Sequence, residues 1–222
     1  MLWLTGSAYV IPAHAGIHYY EEGWWAMAGC VLPLAFTRTR YEGYTRGGTM
    51  RLEGKKVAVL VAEGFEDLEY WVTVMRLQEE GAEVVSVGPD TEPVSGKNAL
   101  GAQADTTADG IDASELDGVV VPGGWAPDKL RRYPGITDLV RTVHDRNKTV
   151  GIICHGGLVA ISAGIVDGVS ATGSLGIKDD LENAGATWVD KAAFREGNLV
   201  WGRVVPDIPD FCRELVTALA EE

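Results

Sequence analysis

A cysteine and a histidine stand side by side at Cys154 and His155, directly after the apolar run Thr149-Val150-Gly151-Ile152-Ile153 and before the glycine pair Gly156-Gly157. A thiol at the end of a strand and the start of a helix has the layout of a nucleophile elbow. Free N–H groups and the positive end of the helix dipole stabilise a thiolate there. Cys154 therefore reads either as a nucleophile or as a small core residue. His155 reads as its base, or as a side chain that fixes the turn. An acid could complete the set. Glu66 stands in Glu63-Gly64-Phe65-Glu66-Asp67, where a carboxyl could hydrogen-bond the thiol and tune its ionisation. The same acids also suit a helix N-terminus, and Asp67 and Glu69 are assigned to that role. Gly123 and Gly124 close a third apolar run and could present N–H groups to an oxyanion.

These residues need a scaffold that brings distant loops together. Residues 56–61 form a continuous apolar run, as in a strand buried on both faces of a parallel sheet. A helix is predicted over 66–80, with Leu68, Val72, Met75 and Leu77 as its apolar stripe. Further strands are predicted at 83–87, 118–121, 149–153 and 198–203, with a small hairpin around Gly96-Lys97-Asn98. Helices are predicted at 135–146, 157–164 and 177–184, and a last one begins at Pro206. Strands alternating with helices imply an α/β sandwich with a mostly parallel sheet. Sites in such sheets gather at the carboxyl ends of strands. The loops after Val61, Val121 and Ile153 all lie there.

Composition narrows the function. The net charge of −13 argues against a nucleic-acid partner and against an anionic membrane surface. No glycine-rich nucleotide fingerprint occurs, so no cofactor is expected. The three cysteines (30, 154 and 212) have no metal-ligand spacing, and their odd number fits a reducing cytoplasm better than a disulfide framework. Cys212 is read as a buried structural thiol. His14 and His18 lie beside Pro12 and Gly16, which disfavours a metal-binding helix, and no metal site is expected. The first fifty residues balance three Arg against three Glu, which leaves 16 basic and 29 acidic side chains in 51–222. That break divides the chain into an extension over 1–50, read as an overlong start with Met50 as the natural one, and a domain over 51–222.

Four motifs carry a family resemblance: Ala62-Glu63-Gly64-Phe65-Glu66-Asp67-Leu68-Glu69, Val121-Pro122-Gly123-Gly124-Trp125-Ala126-Pro127-Asp128, Ile153-Cys154-His155-Gly156 and the run from Gly176 to Ala186. In this order they resemble the PfpI intracellular-protease family, in the superfamily of the Parkinsonism-associated deglycase and the class I glutamine amidotransferases. The resemblance covers roughly residues 55–220. It implies a flavodoxin-like three-layer sandwich that forms homodimers or homohexamers in the cytoplasm. It implies Cys154 as nucleophile, His155 as its partner and Glu66 as the acid on the thiol. Gly124 and the His155 N–H would form the oxyanion hole, and Asp128 of a neighbouring subunit would complete a triad. The implied activity is on reactive carbonyls, as a glutathione-independent glyoxalase or a protein deglycase. A peptidase active as an oligomer is the first alternative, and a stress-related redox sensor or chaperone the second. The chain departs from the family pattern at Thr172-Gly173-Ser174-Leu175, where a pocket-side aromatic is common, at Trp201-Gly202-Arg203, and at Asp128, where Glu is common.

Overall fold

A computed structural model describes residues 50–221. The expectations about residues 1–49, including Cys30, His14, His18 and the start at Met50, concern a segment outside the described residues.

In chain order the strands are β1 (Lys56–Leu60), β2 (Glu83–Gly88), β3 (Pro93–Ser95), β4 (Gly101–Gln103), β5 (Thr106–Thr107), β6 (Gly118–Val121), β7 (Thr149–Ile153), β8 (Ser170–Ala171), β9 (Thr187–Trp188), β10 (Ala193–Glu196) and β11 (Leu199–Gly202). The helices are α1 (Asp67–Glu79), α2 (Ala126–Leu130), α3 (Pro134–Asp145), α4 (Gly157–Ala163), α5 (Lys178–Asn183) and α6 (Ile208–Ala220). A seven-stranded sheet runs in the order β10-β11-β7-β6-β1-β2-β5, parallel throughout except for β10. Every residue of β6 and β7 is buried, as a strand covered on both faces requires. Helices α1 and α6 contact one another on one layer; α2, α3 and α4 form another. The result is the expected three-layer α/β sandwich.

Close packing fixes the layers. An added Cβ at Gly151 would lie 3.0 Å from a Leu215 methyl and 3.2 Å from the Phe211 ring, so β7 accepts α6 only because it is bare there. Phe211, Leu215 and Leu219 of α6 are all buried, in the i, i+4, i+8 phase of one helix face. Cys212 is buried beside them with its thiol 3.9 Å from the Thr73 hydroxyl, the structural role read for it.

Helix α1 forms over the predicted span, but of its predicted apolar stripe only Leu77 is buried. Leu68, Val72 and Met75 are exposed, while Glu69, Tyr70, Thr73, Val74 and Leu77 are buried. The helix carries two apolar stripes, and the one with the aromatic and the small hydroxyl meets the sheet. The short helix α2 and the antiparallel strand β10 are additional to the predicted elements.

Candidate active site

The loops after β1, β6 and β7 converge at the carboxyl edge of the sheet, where β1 feeds β2 on one side and β6 lies on the other. A single antiparallel bridge between Phe65 and Gly124 ties the first two loops together. The third loop is a tight 3-10 turn over Cys154–Gly156 that leads into α4. Cys154 sits there with φ +59°, in the left-handed region that costs a non-glycine residue on the order of 1–2 kcal/mol. The turn is held because Gly156 passes over Val121, whose carbonyl oxygen would lie 2.2 Å from an added Cβ. The buried Cys154 Sγ lies 3.3 Å from Nδ1 of the half-buried His155 ring.

The acid beside the thiol is Glu69. Gly123 N–H donates to Glu69 Oε2 at 2.7 Å, and the Cys154 thiol is the second group on that carboxyl. Oε1 is buried and receives no well-formed hydrogen bond among the described residues. A carboxylate with one oxygen undonated favours its protonated form. Burial therefore pushes Glu69 up to about 7, opposed by the Gly123 N–H and the thiol, with the nearby Glu66 adding to the rise. Burial is also the first cause that pushes Cys154 up, to about 12, and the Glu69 charge is the second; the backbone N–H groups of His155 and Gly124 act in the opposite sense. Burial and then Lys97 hold the His155 ring below the usual imidazole value, which leaves it neutral near pH 7.

Glu66 takes a different place from the one expected of it. Its Oε2 accepts from Leu68 N at 2.9 Å and Glu69 N at 2.8 Å, and its Oε1 accepts from Asn98 Nδ2 at 3.4 Å. It is the N-cap of α1. In a capping box the acid three residues later would reach back to the N-cap N–H. Here that N–H donates to Gly123 O at 3.1 Å instead. Glu69 is thereby released to turn toward Gly123 N–H and the thiol. The helix-capping role read for Asp67 and Glu69 falls on Glu66, and the thiol role read for Glu66 falls on Glu69. Asp67 is buried too, and binds the β3–β4 turn through Asn98 N and Leu100 N.

Gly123 and Gly124 do lie against the thiol. An added Cβ at Gly123 would stand 2.6 Å from Glu69 Oε2, 2.7 Å from Cys154 Cβ and 2.9 Å from His155 N. Gly124 has φ +77°, and its added Cβ would meet Glu66 N at 2.4 Å. No side chain fits at either position. Two backbone N–H groups, from Gly124 and His155, thus face the sulfur from different loops, the geometry of an anion hole.

Asp128 lies on the first turn of α2, exposed and ion-paired with Arg132, just beyond the helix's end. Among the described residues no carboxylate hydrogen-bonds the His155 ring. On its Nε2 side the ring faces Gly176, where an added Cβ would come within 3.4 Å. Two large apolar side chains, Trp125 and Leu175, stand exposed next to Gly124 and Gly176. Among the described residues no group of three or more His, Cys, Asp or Glu could hold a metal ion. None of the helices there is long and apolar enough to cross a membrane.

Comparison with known proteins agrees with this architecture. The profile of the DJ-1/PfpI family matches residues 55–218. A deglycase from Pyrococcus horikoshii is 38% identical over 164 residues, 74% of this chain and 99% of the relative. A putative cysteine protease from Bacillus subtilis is 35% identical over 166 residues, 74% of this chain and 98% of the relative. Among solved structures, DJ-1beta of Drosophila melanogaster superposes with a TM-score of 0.70 at 26% identity, covering 76% of this chain and 91% of that one. A protein of Anabaena variabilis with DJ-1/ThiJ/PfpI-like and ferritin-like domains gives 0.73 at 39% identity over 74% of this chain. This chain spans about half the length of that two-domain protein, 48%.

Proposed function

The chain belongs to the DJ-1/PfpI family, and from that premise we propose that it is a cysteine-dependent enzyme acting on reactive carbonyl compounds, of the glyoxalase or deglycase type. The observation that carries the proposal is the Cys154 thiol on a strained elbow, bracketed by the Glu69 carboxyl and two backbone N–H groups. The relative from Pyrococcus horikoshii is named a deglycase, which supports the same substrate class.

The groups at hand suit addition to an aldehyde. Cys154 sulfur bonds to the carbonyl carbon as the C=O π bond opens. The thiol proton passes to Glu69, whose raised pKa of about 7 suits it to hold and return a proton near neutrality. The developing oxyanion is placed against the N–H groups of Gly124 and His155. With methylglyoxal, the hemithioacetal loses the proton on C1 and gains one on C2. The thioester so formed is hydrolysed by water to lactate and free Cys154. Neutral His155 is the base placed within reach of the adduct.

A purified wild type that consumes methylglyoxal, beside a Cys154→Ala variant that does not, is the expected outcome; equal rates in the two would sink the proposal. The second reading is a cysteine peptidase, favoured by the name of the Bacillus subtilis relative. It predicts casein cleavage that disappears in the same variant. Under either reading the active form is a homo-oligomer in the cytoplasm. The exposed apolar stripe Leu68, Val72 and Met75 on α1 is the subunit contact proposed for it.

A further inference from the structure

We propose that Lys97 forms an anion subsite at the mouth of the Cys154 site, so that the favoured substrates carry a carboxylate or similar anionic group beside the reacting carbonyl.

Lys97 sits at the tip of the β3–β4 hairpin, and that tip is fixed to the site's own loops. Lys97 N–H donates to Phe65 O at 2.9 Å, and Phe65 is the residue bridged to Gly124. The buried Asp67 carboxylate accepts from Asn98 N at 2.8 Å and Leu100 N at 2.7 Å. Asn98 Nδ2 reaches the Glu66 carboxylate. Gly96 admits this contact only because it is bare: an added Cβ would lie 2.6 Å from three atoms of the Asp67 carboxylate. The turn closes with Ala99 at φ +73°, a strained conformation that persists where surrounding contacts over-determine it. So the hairpin tip is a built part of the site's wall.

The tip delivers a cation to an acidic molecule. The Lys97 side chain is exposed and makes no ion pair among the described residues. Its charge acts on the two titratable groups that flank the sulfur, Glu69 and His155. An exposed ammonium on a loop tied to a catalytic cluster, and outside any ion pair among the described residues, is satisfied when a ligand anion arrives. The chain as a whole carries −13, so an anionic substrate is repelled elsewhere and attracted here. A 2-oxoaldehyde that also carries a carboxylate, such as 2,3-dioxopropanoate, combines the isomerisable dicarbonyl and the anion at the spacing of adjacent carbons.

The proposal rests on the carbonyl reading for its substrate, so the test has one arm that does not. In the first arm, Cys154 of the full chain is alkylated by iodoacetate and by iodoacetamide. Each displaces iodide at the same thiolate, and only one is an anion. The iodoacetate-to-iodoacetamide rate ratio is expected to fall about tenfold in Lys97→Met, to be retained in Lys97→Arg, and to fall with added salt in the wild type. A ratio unchanged in Lys97→Met overturns the anion subsite, whatever the enzyme's reaction. In the second arm, the ratio of kcat/KM for 2,3-dioxopropanoate, which the same isomerisation and hydrolysis would convert to hydroxymalonate, to that for methylglyoxal is expected to fall about tenfold in Lys97→Met, mainly through KM. Turnover of neither compound by the wild type, with a Lys97-dependent alkylation ratio, refutes the carbonyl reading and leaves the anion subsite standing. Turnover of both with a Lys97-independent ratio does the reverse.

Discussion

The Glu69 carboxyl and the Cys154 thiol occupy one buried site, where the Glu69 charge raises the proton affinity of the thiol and the thiol hydrogen bond lowers that of the carboxyl. Such a pair titrates as a unit. Thiolate formation in the wild type is therefore tied to the ionisation of Glu69, which falls at about 7. The rate of Cys154 alkylation by iodoacetamide should show an inflection near that pH. Glu69→Gln should abolish the inflection, and Glu66→Gln should keep it. An inflection that persists in Glu69→Gln would mean that another group couples to the thiol.

The same shift predicts how stability depends on pH. Glu69 is raised from an ordinary 4.5 to about 7 in the folded chain. Between these values the native state holds a proton that the unfolded chain has released. The native state is thus favoured fully below about 4.5, and this advantage is lost as pH rises through 7. Glu69→Gln keeps the amide-facing oxygen and cannot ionise. Denaturant unfolding should show the variant matching the wild type near pH 4.5 and exceeding it at pH 8, by on the order of 2–3 kcal/mol. A variant less stable than the wild type at both pH values would show that the Glu69 charge is compensated in the fold.

How much of this was legible follows from α1. The apolar runs of β1, β6 and β7 are buried on both faces, and continuous hydrophobicity reports that directly. The elbow is legible for the same reason, since a strand must end where Cys154, His155 and two glycines follow it. The acid was not legible by position alone, because Glu66 and Glu69 both stand at the helix start. The missed signal is phase: Glu69, Thr73 and Leu77 lie at i, i+4 and i+8, all buried. An acid in line with a buried face is the one that must find a partner inside. The more apolar stripe Leu68-Val72-Met75 lies on another face, and it is exposed. Strand β10 and helix α2 are short and depend on tertiary contacts, so no local period announces them.

Cys154 stores backbone strain that glycine would not feel. At φ +59° both Cys154→Ala and Cys154→Gly remove the sulfur, but only the first keeps a Cβ in the left-handed region. Neither variant should consume methylglyoxal. In urea unfolding Cys154→Gly should be the more stable of the two by about 1 kcal/mol. Equal stabilities would mean that the surrounding packing, rather than the elbow's dihedral, governs this position.

Asp128 and the α1 stripe make linked predictions about the oligomer. In one chain Asp128 is exposed and ion-paired to Arg132, and the His155 ring has no carboxylate partner among the described residues. The proposed homo-oligomer could supply one in trans. Replacing exposed apolar residues by charge, as in Val72→Glu with Met75→Glu, should dissociate the oligomer in light scattering and lower activity with it. Asp128→Ala should leave the oligomer intact and lower activity about tenfold or more. The decisive experiment co-expresses Asp128→Ala with Cys154→Ala. Each is defective alone, yet a mixed dimer pairs the Cys154 and His155 of one subunit with the Asp128 of the other. Recovered activity would require Asp128 to act across the interface. No recovery, in a mixed dimer verified by mass, would restrict it to its salt bridge with Arg132.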